Sequence, residues 1–160
     1  MATWSEVTGL ASDLAAKIQA RFEAHGLGLL ATIRRNGFPR ISGIEPLFGD
    51  ELWLGMMPNS QKAADLMTNP RLSLHAATED KNVANGDAKV TGVAHVIDEE
   101  EEVVLFRKAF ERHTGQKLPP GPMHLFGVDV TEMSFLAVQG DHLLIEWWRP
   151  GNEVQTVKRY

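Results

Sequence analysis

A chain of 160 residues, 43% hydrophobic and 23% charged, has the length of one domain and enough apolar surface for a true core. Its formal net charge of -5 argues against a general nucleic-acid binder, which carries a basic patch. It has no cysteine, which excludes disulfides, thiolate catalysis and zinc–thiolate sites, and no apolar run long enough to cross a bilayer.

The residues Met1-Ala2-Thr3-Trp4-Ser5-Glu6 lack a basic stretch followed by an apolar one, so a cytoplasmic, single-domain protein over residues 1–160 is expected. Ala11, Leu14, Ala15, Ile18 and Phe22 recur at helical spacing and predict an amphipathic helix over about 8–24, ended by His25-Gly26 with Gly26 suited to a left-handed cap. Leu27 to Arg34 reads as an apolar strand. Asn36-Gly37 signals a hairpin of type I′, with Pro39 to Phe48 as the return strand. Gly49-Asp50 turns into a third strand, Glu51 to Met57. A short helix over 60–68 stops before Pro70, and Arg71 to Thr78 is the fourth strand. Glu79 to Gly86 reads as an exposed loop. Ala88, Val90, Gly92, Ala94 and Val96 alternate with larger residues in a fifth strand, and Gly92 within it predicts a bulge or a close backbone approach.

Asp98 is the expected cap of the next helix. Glu99 to Glu102 fill its start and Arg112-His113 its end, both favourable to the helix dipole, so the glutamate run is a helix start and not a metal site. Val103, Phe106 and Phe110 give that helix an apolar stripe. Leu118-Pro119-Pro120-Gly121-Pro122 makes a stiff connection. Met123 to Val138 is one long strand or two, Gly140-Asp141 turns into His142 to Arg149, and a last short strand is expected at Val154 to Val157. Trp147 and Trp148 point to opposite sheet faces, one of them into the core. Six or seven antiparallel strands with peripheral helices predict a mainly β fold, a small barrel over about 27–149. Turns this short leave no room for parallel crossovers.

The stretch with most chemistry is Asn59-Ser60-Gln61-Lys62-Ala63-Ala64-Asp65-Leu66. Asn59 or Ser60 can cap the helix start, and Lys62 sits in the first turn, against the dipole. Free backbone N–H groups, a hydroxyl and an ammonium converging there suit a phosphate; the plain alternative is a solvated lysine on a surface helix. The histidines His25, His75, His95, His113, His124 and His142 form no short-spaced metal-ligand pair, so no metal site is expected. No serine sits in a nucleophile-elbow pattern.

In order, Arg40-Ile41-Ser42-Gly43-Ile44-Glu45, Trp53-Leu54-Gly55, Ser60-Gln61-Lys62-Ala63, Asn69-Pro70-Arg71 and Lys89-Val90-Thr91-Gly92-Val93-Ala94 resemble the pyridoxamine 5'-phosphate oxidase-like, flavin-binding split-barrel family. The likeness runs from about Leu27 to Glu132. The Ser-Gln-Lys-Ala helix start and Asn-Pro-Arg stop are especially similar to the branch of flavin- and deazaflavin-dependent reductases. The resemblance implies a split barrel that binds FMN, or alternatively the deazaflavin coenzyme F420, in a cleft shared by a homodimer. It implies that the backbone of Arg40, Ile41, Ser42, Gly43, Ile44 and Glu45 lies along the ring, with Gly43 allowing close approach. Gly55, Met56 and Met57 would line the ribityl side, and Ser60 and Lys62, with Gln61 between them, would hold the phosphate. Gln61 stands where the family often has arginine, and Asp87 where it often offers a glutamine. The implied activity is an oxidoreductase acting on a small organic substrate, with the cofactor supplying the hydride chemistry and no dedicated catalytic acid or base in the protein. A non-catalytic module binding flavin or haem is the alternative. True pyridoxamine 5'-phosphate oxidase is disfavoured, because its C-terminal Trp and Arg elements have no counterpart in context at Trp147-Trp148-Arg149.

Overall fold

Thr3 and Glu6 cap the first helix reciprocally: the Glu6 amide donates to Thr3 Oγ1 (3.2 Å) and the Thr3 amide to Glu6 Oε2 (2.8 Å), a capping box. In the computed structural model, which describes residues 2–160, the elements run α1 Trp4–Leu10, α2 Ser12–Glu23, β1 Gly28–Ile33, β2 Pro39–Ile44, β3 Leu47–Phe48, β4 Leu52–Met56, α3 Gln61–Thr68, β5 Arg71–Ala76, β6 Asp87–Val96, α4 Glu100–Thr114, β7 His124–Gln139, β8 His142–Trp148 and β9 Gln155–Arg159. The single helix expected over 8–24 is therefore two. Ala11 leaves the helical region (φ -142°, ψ 54°), close behind the weak helix former Gly9. The buried stripe Trp4, Val7, Ala11, Leu14, Ile18, Phe22 keeps helical spacing across the break, so the pattern of apolar residues does not register it.

The strands form one antiparallel path, β2-β1-β5-β6-β7-β4-β3, with β8 on β7 and β9 on β8. Among the described residues there are nine strands, where six or seven were expected. Part of the difference is the return strand Pro39 to Phe48, which splits at Glu45-Pro46. β2 pairs with β1, while β3 pairs with β4. Pro46 has no N–H to continue a ladder, so the chain turns a corner there and leaves the barrel split. The tail forms a true strand, β9, slightly beyond the expected span. The 16-residue β7 serves two partners in succession, β4 along its first half and β8 along its second, while β6 pairs with both halves.

Three local expectations change. At the hairpin only Gly37 has a positive φ (86°), which excludes type I′. The Gly37 amide donates to the Arg34 carbonyl and the Arg34 amide to that of Phe38, both at 2.8 Å, a three-residue loop with glycine at the bulge position. Ser60 occupies the cap position of α3 but makes no side-chain capping bond, and Asn59 takes a left-handed φ of 62°. The cap position of α4 is Glu99, not Asp98, also without a side-chain bond. The bulge in β6 is present as expected. Register shifts between Thr91 and Gly92, and a Cβ on Gly92 would lie 2.5 Å from the Asp129 carbonyl oxygen.

The barrel interior and α1–α2 share one core built around Trp4, Phe22, Leu30, Leu54, Leu74, Phe126 and Trp148. Trp4 meets Phe48 edge-on at 4.8 Å, and its Nε1 donates to Gln19 Oε1 at 3.0 Å, joining the two helices. A second cluster, Leu47, Ile97, Phe106, Phe110 and Leu125, seats α4 on the outer face of β4 and β7. Among the described residues no helix is long and apolar enough to cross a membrane.

Candidate functional site

The corner at Glu45-Pro46 opens a cavity of about 520 Å³ between β2, the end of β4 and the start of α3, within the usual size range of small-ligand sites. It brings together Gly43, Ile44, Glu45, Gly55, Met56, Met57 and Lys62, seven of the twelve residues the sequence singled out. Gly43 is exposed on β2, and a Cβ built there meets nothing within 4 Å. Its carbonyl oxygen accepts from Lys62 Nζ at 2.8 Å, so the lysine read as a phosphate ligand, or alternatively as a solvated surface lysine, already has one partner.

The opposite wall went unread in the sequence. Phe106, Arg107 and Phe110 of α4, with Leu118, the three prolines of 119–122 and Met123, close the cavity. Gly55 makes this possible: a Cβ there would come within 2.7 Å of Phe106 Cζ and 3.1 Å of Met123 Cε. Arg107 clasps the proline segment to α4 by donating from Nη1 to the Pro119 carbonyl (2.9 Å) and from Nη2 to that of Gly121 (2.8 Å). The stiffness of 118–122 was legible; its partner was not, because contact across the fold leaves no local pattern.

The other five candidates lie elsewhere. Arg40 and Gln61 line a separate cleft of about 480 Å³ beside the hairpin turn, with Arg34, Arg35, Asp65 and Thr68. Ile41 is 71% exposed and faces a shallow trough on the outer sheet with Leu29, Ser73, Lys89 and Thr91. Ser42 and Ser60 are half-buried and line neither cavity. Asp87 lies on β6, three strands from β2, about 14 Å at ordinary strand spacing, with its carboxylate 3.9 Å from His75 Nε2.

One buried group organises α3 against β2. Asp65 Oδ2 accepts from Arg40 Nε and Thr32 Oγ1, both at 2.7 Å, with only 8% of its side chain exposed. Burial pushes its carboxyl up, but the hydrogen bonds from Arg40 and Thr32 and the charges of Arg40 and Arg34 outweigh it and hold it below the usual range. Among the described residues no group of His, Asp and Glu side chains is placed to hold a metal ion.

A family model described as pyridoxamine 5'-phosphate oxidase matches residues 14–138. No curated protein sequence matches the chain. Among solved structures, the protein is similar to Campylobacter jejuni ChuZ, with a TM-score of 0.73 and 17% identity over 91% of this chain and 63% of that one. It is similar to a pyridoxamine 5'-phosphate oxidase-related, FMN binding protein from Nostoc punctiforme, with a TM-score of 0.63 and 14% identity over 93% and 95% of the two chains. It is also similar to a haem binding protein from Mycobacterium smegmatis, with a TM-score of 0.59 and 18% identity over 89% and 57%. The chain thus spans less than two thirds of two of these three relatives, and identities this low speak for the fold alone.

Proposed function

The chain belongs to the pyridoxamine 5'-phosphate oxidase family of split barrels, whose model covers residues 14–138, and from that premise we propose that it binds FMN and acts as a flavin-dependent oxidoreductase on a small organic substrate. The observation that carries this reading is the open surface of Gly43 beside the 520 Å³ cavity. A flat ring can lie against β2 there without meeting a side chain. The apolar walls from Ile44, Met56, Phe106 and the proline segment suit an isoalloxazine or a deazaflavin, and F420 is the alternative cofactor. Backbone of Arg40 to Glu45 would hold the ring, Gly55 to Met57 the ribityl side, and Ser60, Gln61 and Lys62 the phosphate end. A bound flavin supplies hydride transfer; the chain's own part is to position it, exclude water and offer donors to the reduced ring.

The likeness to a protein described as FMN binding supports this cofactor. The likeness to a haem binding protein supports the second reading, a non-catalytic module. The lining of the cavity favours flavin over haem: it has no His, Cys or Tyr side chain, and the methionines it does contain, Met56, Met57 and Met123, are of a type that holds haem iron as the partner of a histidine. The uncovered trough of Leu29, Ile41, Ser73, Lys89 and Thr91 supports a homodimer through that face.

Titration of FMN and of F420, followed by absorbance and fluorescence, tests the reading in wild type and in Gly43→Val. The wild type should bind one of the two at micromolar concentrations or better, an affinity of about 8 kcal/mol. The variant should keep its fold, because its branched side chain enters open space, and lose affinity for the cofactor. Failure of the wild type to bind either cofactor would overturn the proposal; equal binding by Gly43→Val would remove β2 from the site.

A further inference from the structure

The apolar cavity accounts for a ring but poorly for an anion. Lys62 spends one N–H on the Gly43 carbonyl, Gln61 is neutral, and Ser60 caps nothing. Positive charge gathers instead on the other side of α3, in the cleft where Arg34, Arg35 and Arg40 converge with Gln61 and Thr68. The chain as a whole carries a net charge of -5, so three arginines around one cleft are a local reversal of its field.

The single carboxylate in that lining, Asp65, is already taken by Arg40 and Thr32. Among the described residues neither Arg34 nor Arg35 forms an ion pair with a carboxylate. Asp65 holds Arg40 by its Nε alone, which leaves four of the five guanidinium donors unspent. A buried carboxylate thus fixes one arginine fork at the cleft, and two exposed arginines stand beside it. Forks of this kind match the oxygens of a phosphate.

The cleft and the apolar cavity adjoin along β2 and the first turn of α3. Arg40 and Gln61 line one, Gly43 and Lys62 the other. Arg40 and Gly43 are three residues apart on one strand, about 10 Å.

We propose that this cleft is an oxyanion seat in which Arg34 and Arg35 bind beside Arg40, and that it takes the phosphate of a flavin whose ring lies in the adjoining cavity, with Gln61 and Lys62 of the helix start on the cavity side of that phosphate. The link to a flavin rests on the function proposed above; the seat for a phosphate does not.

The test compares FMN with riboflavin, which lacks the phosphate, in wild type and in the double variant Arg34→Ala/Arg35→Ala. Both side chains are exposed in a turn, so the fold should survive, and thermal melting checks this. Wild type should prefer FMN by about tenfold to a hundredfold, the worth of charge-assisted hydrogen bonds. The double variant should lose most of that preference while its riboflavin affinity stays unchanged. Arg34→Lys/Arg35→Lys, which keeps the charge without the fork, should retain part of it. An unchanged preference in the alanine variant would overturn the proposal, and so would an equal fall for both flavins, which would make the arginines supports of the hairpin. Calorimetry with inorganic pyrophosphate separates the seat from the cofactor. Binding by wild type that the alanine variant loses upholds the seat even if neither flavin binds. No pyrophosphate binding by wild type overturns it. Pyrophosphate that binds without competing with FMN overturns the assignment of the seat to the flavin.

Discussion

Asp65 in α3 and Glu51 ahead of β4 are both shielded carboxylates, yet burial leaves them in opposite states. Asp65 has a guanidinium and a hydroxyl on one oxygen, each at 2.7 Å, and its carboxyl is held below the usual range. Glu51 has one buried oxygen, Oε2, with no hydrogen-bond partner. His95 Nε2 stands 4.0 Å from that oxygen, too far for a hydrogen bond, while His95 Nδ1 turns to Asp129 at 3.2 Å. Burial pushes the Glu51 carboxyl up. His95 opposes this, but the charges of Asp129, Glu102 and Glu6 add to the rise. Removing a carboxylate from water is costly in both places; what differs is whether the surroundings answer it. The answered one lies at the candidate site, where it orients an arginine. The unanswered one lies on the outer face near α4, where no ligand role is proposed.

The largest break in this comparison should come from Asp65→Ala. It strands the half-buried Arg40 guanidinium and leaves the buried Thr32 hydroxyl without its acceptor. Breaking a buried pair from one side costs about 3–5 kcal/mol, and Arg40, with 24% of its side chain exposed, puts the loss near the lower end. A shift of the urea midpoint at unchanged slope measures it. A loss under about 1 kcal/mol, the value of a surface pair, would show that the bridge organises nothing.

Much of this architecture was legible in the chain, and what was not has identifiable causes. Short turns and alternating strands revealed an antiparallel barrel, and Gly92 revealed its bulge, because each depends on residues close in sequence. Thr3 and Glu6 carry the spacing of a capping box, a signal that could have set the first helix start at Trp4. The break at Ala11 had no such signal, since the buried stripe continues through it. Gly43 and Gly55 to Met57 were identified through a family likeness, and the cavity gathers them. Arg107, the proline wall and the pairing of Asp65 with Arg40 were not seen, because they join segments far apart in the chain and carry no periodicity. The cap bonds expected from Ser60 and Asp98 are also missing. Asp98 falls one residue short of the cap position, and Ser60 has the extended backbone of a cap yet makes no side-chain bond.

A smaller effect sharpens the favourable side of the comparison. Lys62→Ala removes the bond to the Gly43 carbonyl, an exposed charge-assisted contact whose loss should lower stability by about 0.5–1.5 kcal/mol. If the cofactor lies where proposed, the same change should weaken FMN several-fold more than riboflavin, and the difference should shrink at high salt. Titrations at two ionic strengths decide this. Equal losses for both flavins would confine Lys62 to holding β2 against α3.

The smallest effect, and the one most specific to the comparison, is the pH dependence of Glu51. Its folded carboxyl titrates above the unfolded value of 4.5, chiefly because of burial. The folded protein therefore keeps a proton that the unfolded chain has released, and stability falls as pH rises through that interval. Asp65 works in the other direction: its contribution is present above the unfolded value of 3.8 and is lost as pH falls below it. Glu51→Gln abolishes the first dependence and leaves the second. Its melting temperature should come nearest that of the wild type at the acid end, below the unfolded value of 4.5, and pull ahead of it as pH rises. Thermal melts of both proteins between pH 4 and 8 measure the gap. A gap that does not widen with pH would mean that the buried oxygen is answered by water, and the contrast with Asp65 would then reduce to the choice of partner.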